Sequence, residues 1–329
     1  MKSPYTGKEM KVVYESRTWN FRGEEYTYIH TAYKCEDTGE LFTTNESDDA
    51  GFLQVTNQYR IKYGIPFTDE IIAVRKRYGI SAAKMSSILG IGINQWRLYE
   101  SGEVPSVSNG RMIRSIMNPR VFLDLVESSR QQLTDKEYAN ITEQVKKEIA
   151  HDADLQIEAY ECRRVFSTMR GIDNGYSATS LPKLKAIMVT VLRECGEVFC
   201  TKMNKLLFYI DFLSYRERGF AMTGLCYRAI DFGPVPDRWD RVYSEFDDIR
   251  QEPRPIGEYE GNVLVTDAAA DESLLSVEDK QIITAVCNRF GSCTSREIST
   301  ISHEEQAWQK YCATHSRIPF SEAYSLKAI

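Results

Sequence analysis

Residues 67–102 read FTDEIIAVRKRYGISAAKMSSILGIGINQWRLYESG and contain three short helical patterns separated by glycines. Apolar residues of the first pattern recur every three to four positions until Gly79, and a second helix is predicted from Ser81 to Gly90. A third is predicted from about Ile93 to Glu100. The connection before it is only Gly-Ile-Gly, which is short enough to hold the two helices at a steep angle. A compact bundle of short helices is therefore expected.

This segment resembles the helix-turn-helix of the Xre/Cro repressor family. The family ends its recognition helix with an aromatic residue, a glutamate, one free position and a glycine, and Tyr99, Glu100 and Gly102 occupy these places. The resemblance implies that the third helix enters the major groove of DNA. Trp96 is assigned to the core. The implied DNA-binding residues are Asn94, Gln95 and Arg97 at base edges, with Ser81 and Lys84 near phosphates.

Charge is distributed unevenly along the chain. The 329 residues carry a net charge of −6, although residues 60–120 contain ten basic and four acidic residues. A basic segment of this kind favours a polyanionic partner such as DNA. Residues 231–272 contain twelve acidic residues and four arginines, a balance that would complement a basic partner. Solvated faces of unequal composition, and a helical bundle that binds no DNA, are the alternatives.

Length and composition favour a protein of two or more domains that remains in the cytoplasm. With 329 residues, 42% of them hydrophobic, the chain has more apolar residues than a single hydrophobic core usually needs. No segment approaches the roughly 20 apolar residues that cross a bilayer, and the amino terminus lacks a signal-peptide pattern. The eight cysteines follow no repeating frame and are expected to be reduced thiols.

The first sixty residues are predicted to form a small β-meander, because Lys11–Tyr14 and Glu25–Thr31 alternate in polarity. Two turns, at residues 3–7 and 35–40, flank these runs. The layout resembles the zinc ribbon of MqsA-type (YgiT-like) antitoxins, in which each turn carries Cys-x-x-Cys-Gly. In related antitoxins this lobe can contact the toxin.

The four ligand positions implied by that resemblance hold Ser3, Thr6, Cys35 and Thr38. One thiolate and three hydroxyls make a weak zinc site, so no metal is expected. The lobe must then be held by packing. Its expected core members are Tyr5, Trp19, Phe21, Tyr28 and Phe42.

Residues 121–170 contain almost no glycine or proline, and their apolar spacing predicts two or three helices. These helices contribute to a homodimer interface or pack within one chain, and both interpretations stay open. The polar, glycine-bearing segment 171–180 is the predicted domain boundary.

Residues 202–209 read KMNKLLFY and are followed by Gly219 and by FGPVP at 232–236. This combination resembles the Panacea or SocA-like domain of toxin–antitoxin antitoxins, over roughly residues 181–311. The resemblance implies a domain that neutralises a toxin by binding it directly. One or two of the aromatic residues near the acidic segment are expected to contact the toxin, and most are expected in the core. The candidates are Tyr227, Phe232, Trp239 and Tyr243.

No enzyme activity or cofactor is expected. The chain lacks a phosphate-binding loop, a dinucleotide-binding glycine pattern and a His-Glu-x-x-His motif. His303 and His315 accompany Cys287, Cys293 and Cys312 in the last third of the chain, but sequence alone does not bring a thiol to a general base.

These observations predict an α+β, multidomain antitoxin that binds its toxin and represses its own operon as a homodimer on operator DNA. Four parts are expected: a degenerate zinc-ribbon-like domain (1–63), an all-α helix-turn-helix domain (64–119), a helical connector (120–178) and a mainly α Panacea/SocA-like domain with short β elements (179–329). An adaptor that delivers the toxin to a protease, or a stand-alone transcription regulator, are the alternatives.

Overall fold

The computed structural model of the protein describes residues 1–256 and 259–329. Helices and three small antiparallel sheets make up a mixed architecture, consistent with an α+β multidomain chain. The chain divides into two compact units, one formed by residues 1–55 and 161–329 and the other by residues 56–160. The amino-terminal lobe thus belongs to the same unit as the carboxyl-terminal half. The four-part division stays a prediction about independent domains.

The amino-terminal lobe is a three-stranded sheet in the order β1-β2-β3. Arg22 and Gly23 both have positive φ angles, as a two-residue hairpin turn requires. The Gln54 side chain pairs with the backbone of β2 as a neighbouring strand would. Its Oε1 accepts a hydrogen bond from Ile29 N at 2.9 Å, and its Nε2 donates one to Ile29 O at 3.0 Å. The strands are β1 (Lys11–Phe21), β2 (Glu24–Lys34) and β3 (Leu41–Phe42), and helix α1 (Asn45–Tyr63) follows them.

None of the five aromatic residues expected in the core of this lobe is fully buried, and Phe21, Tyr28 and Phe42 are only half-buried. Tyr5 is 66% exposed, and Trp19 is 38% exposed although its ring lies 5.8 Å from that of Phe52. A single thin sheet buries only the face that a second layer covers, so its remaining side chains stay at the surface. The buried hydrophobic residues of the lobe include Met10, Tyr26, Ala32 and Cys35.

Residues 56–160 form a helical unit with one hydrophobic core. The ring of Tyr78 stacks on that of Phe122 at 4.1 Å, so helices from the predicted connector share this core with the helices before them. Helix ends fall where glycines permit a left-handed backbone, with φ of 64° at Gly79 and 65° at Gly90. The helices are α2 (Thr68–Arg77), α3 (Ala82–Ile88), α4 (Gln95–Glu100), α5 (Val107–Ser115), α6 (Pro119–Ser128), α7 (Asp135–Ala150) and α8 (Asp152–Val165), the last of which continues into the other unit.

The carboxyl-terminal part is built around one helix, α10, in which every residue from Lys202 to Tyr215 is buried. Two small sheets pack near it, in the orders β4-β8-β7 and β6-β5-β9. The helices are α9 (Leu181–Cys195), α10 (Cys200–Arg218), α11 (Trp239–Val242), α12 (Val277–Phe290), α13 (Ser295–His303) and α14 (Gln306–Gln309). The strands are β4 (Val198–Phe199), β5 (Tyr227–Ile230), β6 (Gly233–Pro236), β7 (Arg250–Ile256), β8 (Tyr259–Val265) and β9 (Arg317–Ile318).

The amino-terminal lobe packs against the end of α10. A Cβ atom at Gly219, which ends that helix with φ +75°, would lie 2.8 Å from Ala50 O and 3.1 Å from Leu53 Cβ. The rings of Tyr14 and Tyr324 also meet, with centroids 5.4 Å apart. These contacts explain why residues 1–55 group with the carboxyl-terminal part.

The segment 171–180 lies inside this unit, and its residues Asn174, Tyr176 and Ser177 are buried. Its polar composition reflects a folded loop rather than the division between the two compact units. Among the described residues, no helix is long and apolar enough to cross a membrane.

Candidate functional site

The three predicted base-reading residues lie together at the start of α4. Asn94 precedes the helix and is exposed, as is Arg97. Gln95 is partly exposed, and its Nε2 donates to Glu103 Oε1 at 3.0 Å. Asn94 and Arg97 are therefore available to a ligand in solvent, whereas Gln95 would first exchange a surface hydrogen bond.

The two predicted phosphate contacts already have partners within the unit. Ser81 caps α3, because its hydroxyl accepts a bond from Lys84 N at 3.2 Å. The Lys84 Nζ lies 2.9 Å from Glu137 Oε1. Hydrogen bonds from Thr134, then from Lys84, hold the pKa of Glu137 at about 2.

A polar network that the sequence analysis missed holds α4 in place. Trp96 is fully buried, which confirms its assignment to the core. Its backbone N–H donates to Ser86 Oγ at 3.1 Å and its Nε1 donates to Glu100 Oε1 at 2.9 Å. Both oxygens of Glu100 also accept bonds from Arg75, at 2.5 and 3.1 Å. The glutamate of the family pattern thus joins α4 to α2.

Several cations of the basic segment are engaged internally. Arg60 donates to the backbone carbonyls of Pro66, Gly102 and Glu103, and Arg77 pairs with Glu148 at 2.6 Å. The positive charge presented to solvent is therefore smaller than the sequence count. The exposed cations of the segment are Lys62, Lys76, Arg97, Arg111, Arg114 and Arg120.

The residues at the four zinc-ribbon positions are linked by hydrogen bonds. The Ser3 hydroxyl donates to Cys35 Sγ at 3.2 Å, and both residues are buried. Hydrogen bonds, from Ser3 first and then Thr38, lower the pKa of the Cys35 thiol to about 7. Thr6 adds its backbone N–H, which donates to Ser3 Oγ at 3.4 Å. Because hydroxyls rather than thiolates fill these places, the prediction that the lobe binds no metal stands as a prediction.

In the carboxyl-terminal part, Phe232 projects from the turn between β5 and β6 and is 72% exposed. Two hydrogen bonds, made by the two residues just before Phe232, hold this turn in place. Trp308 Nε1 donates to Ile230 O at 2.8 Å, and Asp231 Oδ1 is hydrogen-bonded to His315 Nε2 at 2.9 Å. A large apolar ring is thus presented to solvent by a fixed backbone, which is an arrangement typical of an interface anchor. We call residues 230–233 the Phe232 turn.

Two of the four candidate toxin-contact residues lie in the core, which corrects the list of candidates. Tyr227 is fully buried and its hydroxyl donates to Asp211 Oδ2 at 2.6 Å. Tyr243 is 3% exposed and its hydroxyl donates to Asn204 Oδ1 at 2.6 Å. Both side chains support the fold, because a buried tyrosine needs a partner for its hydroxyl.

Trp239, the fourth candidate, is 45% exposed but lies at the other end of the β5–β6 hairpin. Residues 234–238 lie between it and the Phe232 turn along the chain. Trp239 is therefore a separate candidate contact.

The acidic segment is largely neutralised where the structure describes it. Asp237 is bonded to Arg317 at 2.7 Å and to Arg228 at 2.9 Å, and Asp248 pairs with Lys185 at 2.5 Å. Asp267 and Glu272 likewise have basic partners. Charge complementarity to a basic toxin is consequently weaker than the sequence count predicts.

The histidines of this domain have partners other than cysteine. His303 stacks on Trp308, with ring centroids 4.1 Å apart, and His315 pairs with Asp231. Cys287 is hydrogen-bonded to Cys195, which with burial raises its pKa. All eight cysteines are free thiols. That the protein is not an enzyme stays a prediction.

Residues 203–309 match the family model described as "Antitoxin SocA-like, Panacea domain". The match begins in α10, includes the Phe232 turn and ends with α14. No curated protein and no solved structure matches the chain. The carboxyl-terminal part of this protein is therefore similar to the Panacea domain of SocA-like antitoxins.

Proposed function

We propose that the protein is an antitoxin that neutralises a partner toxin by direct binding through its carboxyl-terminal domain. The observation that carries this proposal is the Phe232 turn, an exposed aromatic ring on a fixed backbone within the residues that match the antitoxin family. A ring of this size buried in a partner's pocket is typical of the residues that dominate binding energy. Neutralisation requires neither catalysis nor a cofactor in this account.

We propose further that α4 belongs to a helix-turn-helix through which the protein represses its own operon as a homodimer. Asn94 and Arg97 are exposed at the start of that helix, and arginine and amide side chains are the groups that read guanine and adenine in the major groove. Five other exposed cations of the same unit would supply phosphate contacts and make binding sensitive to salt.

Co-expression with the product of the neighbouring reading frame tests toxin binding. Wild-type protein is expected to rescue growth and to co-purify with that product. Phe232→Ala is expected to weaken the complex at least tenfold. Val277→Ala is the matched control, since Val277 is an apolar residue of the same domain with similar exposure, 67%. Equal affinity of all three proteins would contradict the proposed contact.

The same co-expression separates occlusion from delivery to a protease. Under occlusion the toxin stays abundant and inactive. A protease-dependent fall in its abundance would favour the adaptor function instead, and failure of the wild-type protein to bind the neighbouring product, with promoter binding retained, would favour a stand-alone regulator.

A further inference from the structure

Two buried nitrogen atoms beneath the Phe232 turn lack hydrogen-bond partners among the described residues. Lys205, in the middle of α10, is fully buried, and its Nζ is one of these atoms. His303 Nε2, at the end of α13, is the other. Buried polar groups in native proteins are normally hydrogen-bonded, so each exception requires an explanation.

The two groups lie on the same side of Gly233. A Cβ atom at this glycine would lie 2.9 Å from Lys205 Cε, 3.4 Å from His303 Nε2 and 2.8 Å from Ser302 Oγ. The Lys205 Nζ is bonded directly to that Cε, so both nitrogens are neighbours of the turn. The His303 ring is held in place by stacking on Trp308, which also fixes Ile230.

Lys202, one helical turn earlier, shows how a buried lysine is ordinarily satisfied. Its Nζ donates to Gly291 O at 2.7 Å. Buried carboxylates of the domain do not serve Lys205, because Asp211, Asp279 and Glu305 are bonded to other groups. Burial lowers the pKa of Lys205 to about 8, so most molecules carry this charge at neutral pH.

We propose that Lys205 and His303 form a binding site for an oxyanion, a carboxylate or a phosphate, that enters at the Phe232 turn. An ammonium and an imidazole N–H can each donate to one oxygen of such a group. The Phe232 turn lies against both groups at Gly233. Entry of the anion requires the turn to open by breaking the exposed Asp231–His315 hydrogen bond, and because the tip residue is already 72% exposed, this opening uncovers little apolar surface.

The oxyanion has two possible sources. One is a free small molecule. The other is a carboxylate on the bound partner, which would dock at the Phe232 turn, and this source rests on the proposed function. Either source explains why the chain keeps a charged group at a position where it opposes folding.

Lys205→Met is the central variant. Methionine fills similar volume without a charge, so we expect the variant to be at least as stable as wild type at pH 7 in chloride, while oxyanion binding falls at least tenfold. Lys202→Met is the matched control from the same helix and is expected to lower stability without changing oxyanion binding. His303→Gln is a second site variant, and circular dichroism establishes that each variant is folded.

Two measurements decide the source. The melting temperature of the full chain is followed against sodium phosphate and sodium acetate, with sodium chloride at equal ionic strength as reference. A saturable rise in wild type that is lost in Lys205→Met and His303→Gln indicates a free oxyanion. Affinity for the neighbouring gene product, reduced at least tenfold by Lys205→Met when free anions have no effect, indicates a carboxylate of the partner.

The proposal is overturned if neither measurement depends on Lys205, or if Lys205→Met is much less stable than wild type, as a structural lysine would require. If the wild-type protein does not bind the neighbouring gene product, the result counts against the proposed function alone. The anion titration then still tests whether Lys205 and His303 bind an oxyanion.

Discussion

Asp211 and Lys205 are both fully buried on α10, yet they differ in what surrounds them. Asp211 accepts bonds from the backbone N–H groups of Met222 and Thr223, both at 2.7 Å, and from two hydroxyls. Burial raises the pKa of Asp211, and the hydrogen bonds that it accepts oppose this shift. The same bonds hold the loop that leads into β5. Lys205 has no such set of partners among the described residues. One residue therefore supports the fold, and the other is better explained by a ligand.

The pH dependence of the free energy of unfolding is expected to show the effect of burying Lys205. Its pKa is lowered from 10.5 to about 8 by burial, so the unfolded chain binds the proton more tightly than the folded one between those values. Stability should thus rise with pH through that window. In chloride buffers, wild type should gain about 2 kcal/mol of unfolding free energy relative to Lys205→Met between pH 7 and pH 9.5, measured by urea denaturation. Identical pH profiles of the two proteins would contradict this assignment.

At the scale of the secondary-structure elements, α4 depends on its surroundings for its stability. It contains six residues, and a helix of that length is not stable by itself in water. The buried Trp96 and the Arg75–Glu100 ion pair hold it, so its exposed side chains are presented on a fixed support. A support of this kind is what base recognition by two or three side chains requires.

Arg97→Ala is expected to weaken binding to the upstream promoter fragment by about 1–3 kcal/mol, because a paired contact to guanine is lost. The exposed position of Arg97 implies little change in stability. Arg120→Ala removes the same charge from another exposed site, at the start of α6, and should have a smaller effect. Fluorescence anisotropy with labelled DNA measures both. Simultaneous loss of toxin binding in Arg97→Ala would argue against separate sites for the two activities.

At the scale of the whole molecule, the amino-terminal lobe is part of the carboxyl-terminal unit. Its helix α1 packs on the end of α10 through Ala50 and Leu53, at a glycine with no side chain to interfere. Residues far apart in the sequence thus share one folded unit. We expect removal of residues 1–55 to destabilise the domain that carries the Phe232 turn.

Gly219→Ala tests this packing by overlap with α1. Gly219 and its control Gly39 both have φ +75°, but a Cβ atom at Gly39 would meet no described atom within 4 Å. Gly39→Ala should therefore cost only the backbone term of about 1–2 kcal/mol. Gly219→Ala should cost roughly 3 kcal/mol or more, because overpacking adds to that term. Thermal or urea unfolding compares them, and equal losses would show that the lobe does not pack on α10.

The candidate site was predictable only in part. Exposure separated Phe232 and Trp239 from Tyr227 and Tyr243, although all four are aromatic residues close together in the sequence. Lys205 lay within the quoted KMNKLLFY segment, but nothing in that segment distinguishes it from Lys202. The difference is that Lys202 Nζ donates to a backbone carbonyl, whereas Lys205 Nζ has no hydrogen-bond partner in the part of the chain that the structure describes.

What the sequence by itself determined is local: where α2, α3 and α4 begin and end, the β-rich character of the first forty residues, and the resemblance of a segment that includes residues 203–309 to an antitoxin domain. Helix caps, glycine turns and alternation of polarity act over a few neighbouring residues, so they can be recognised without the fold. Only the tertiary structure decided that the first lobe joins the last domain, that much of the segregated charge is paired, and which aromatic rings reach solvent. Those outcomes depend on contacts between residues distant in sequence, and burial and pairing are properties of such contacts alone.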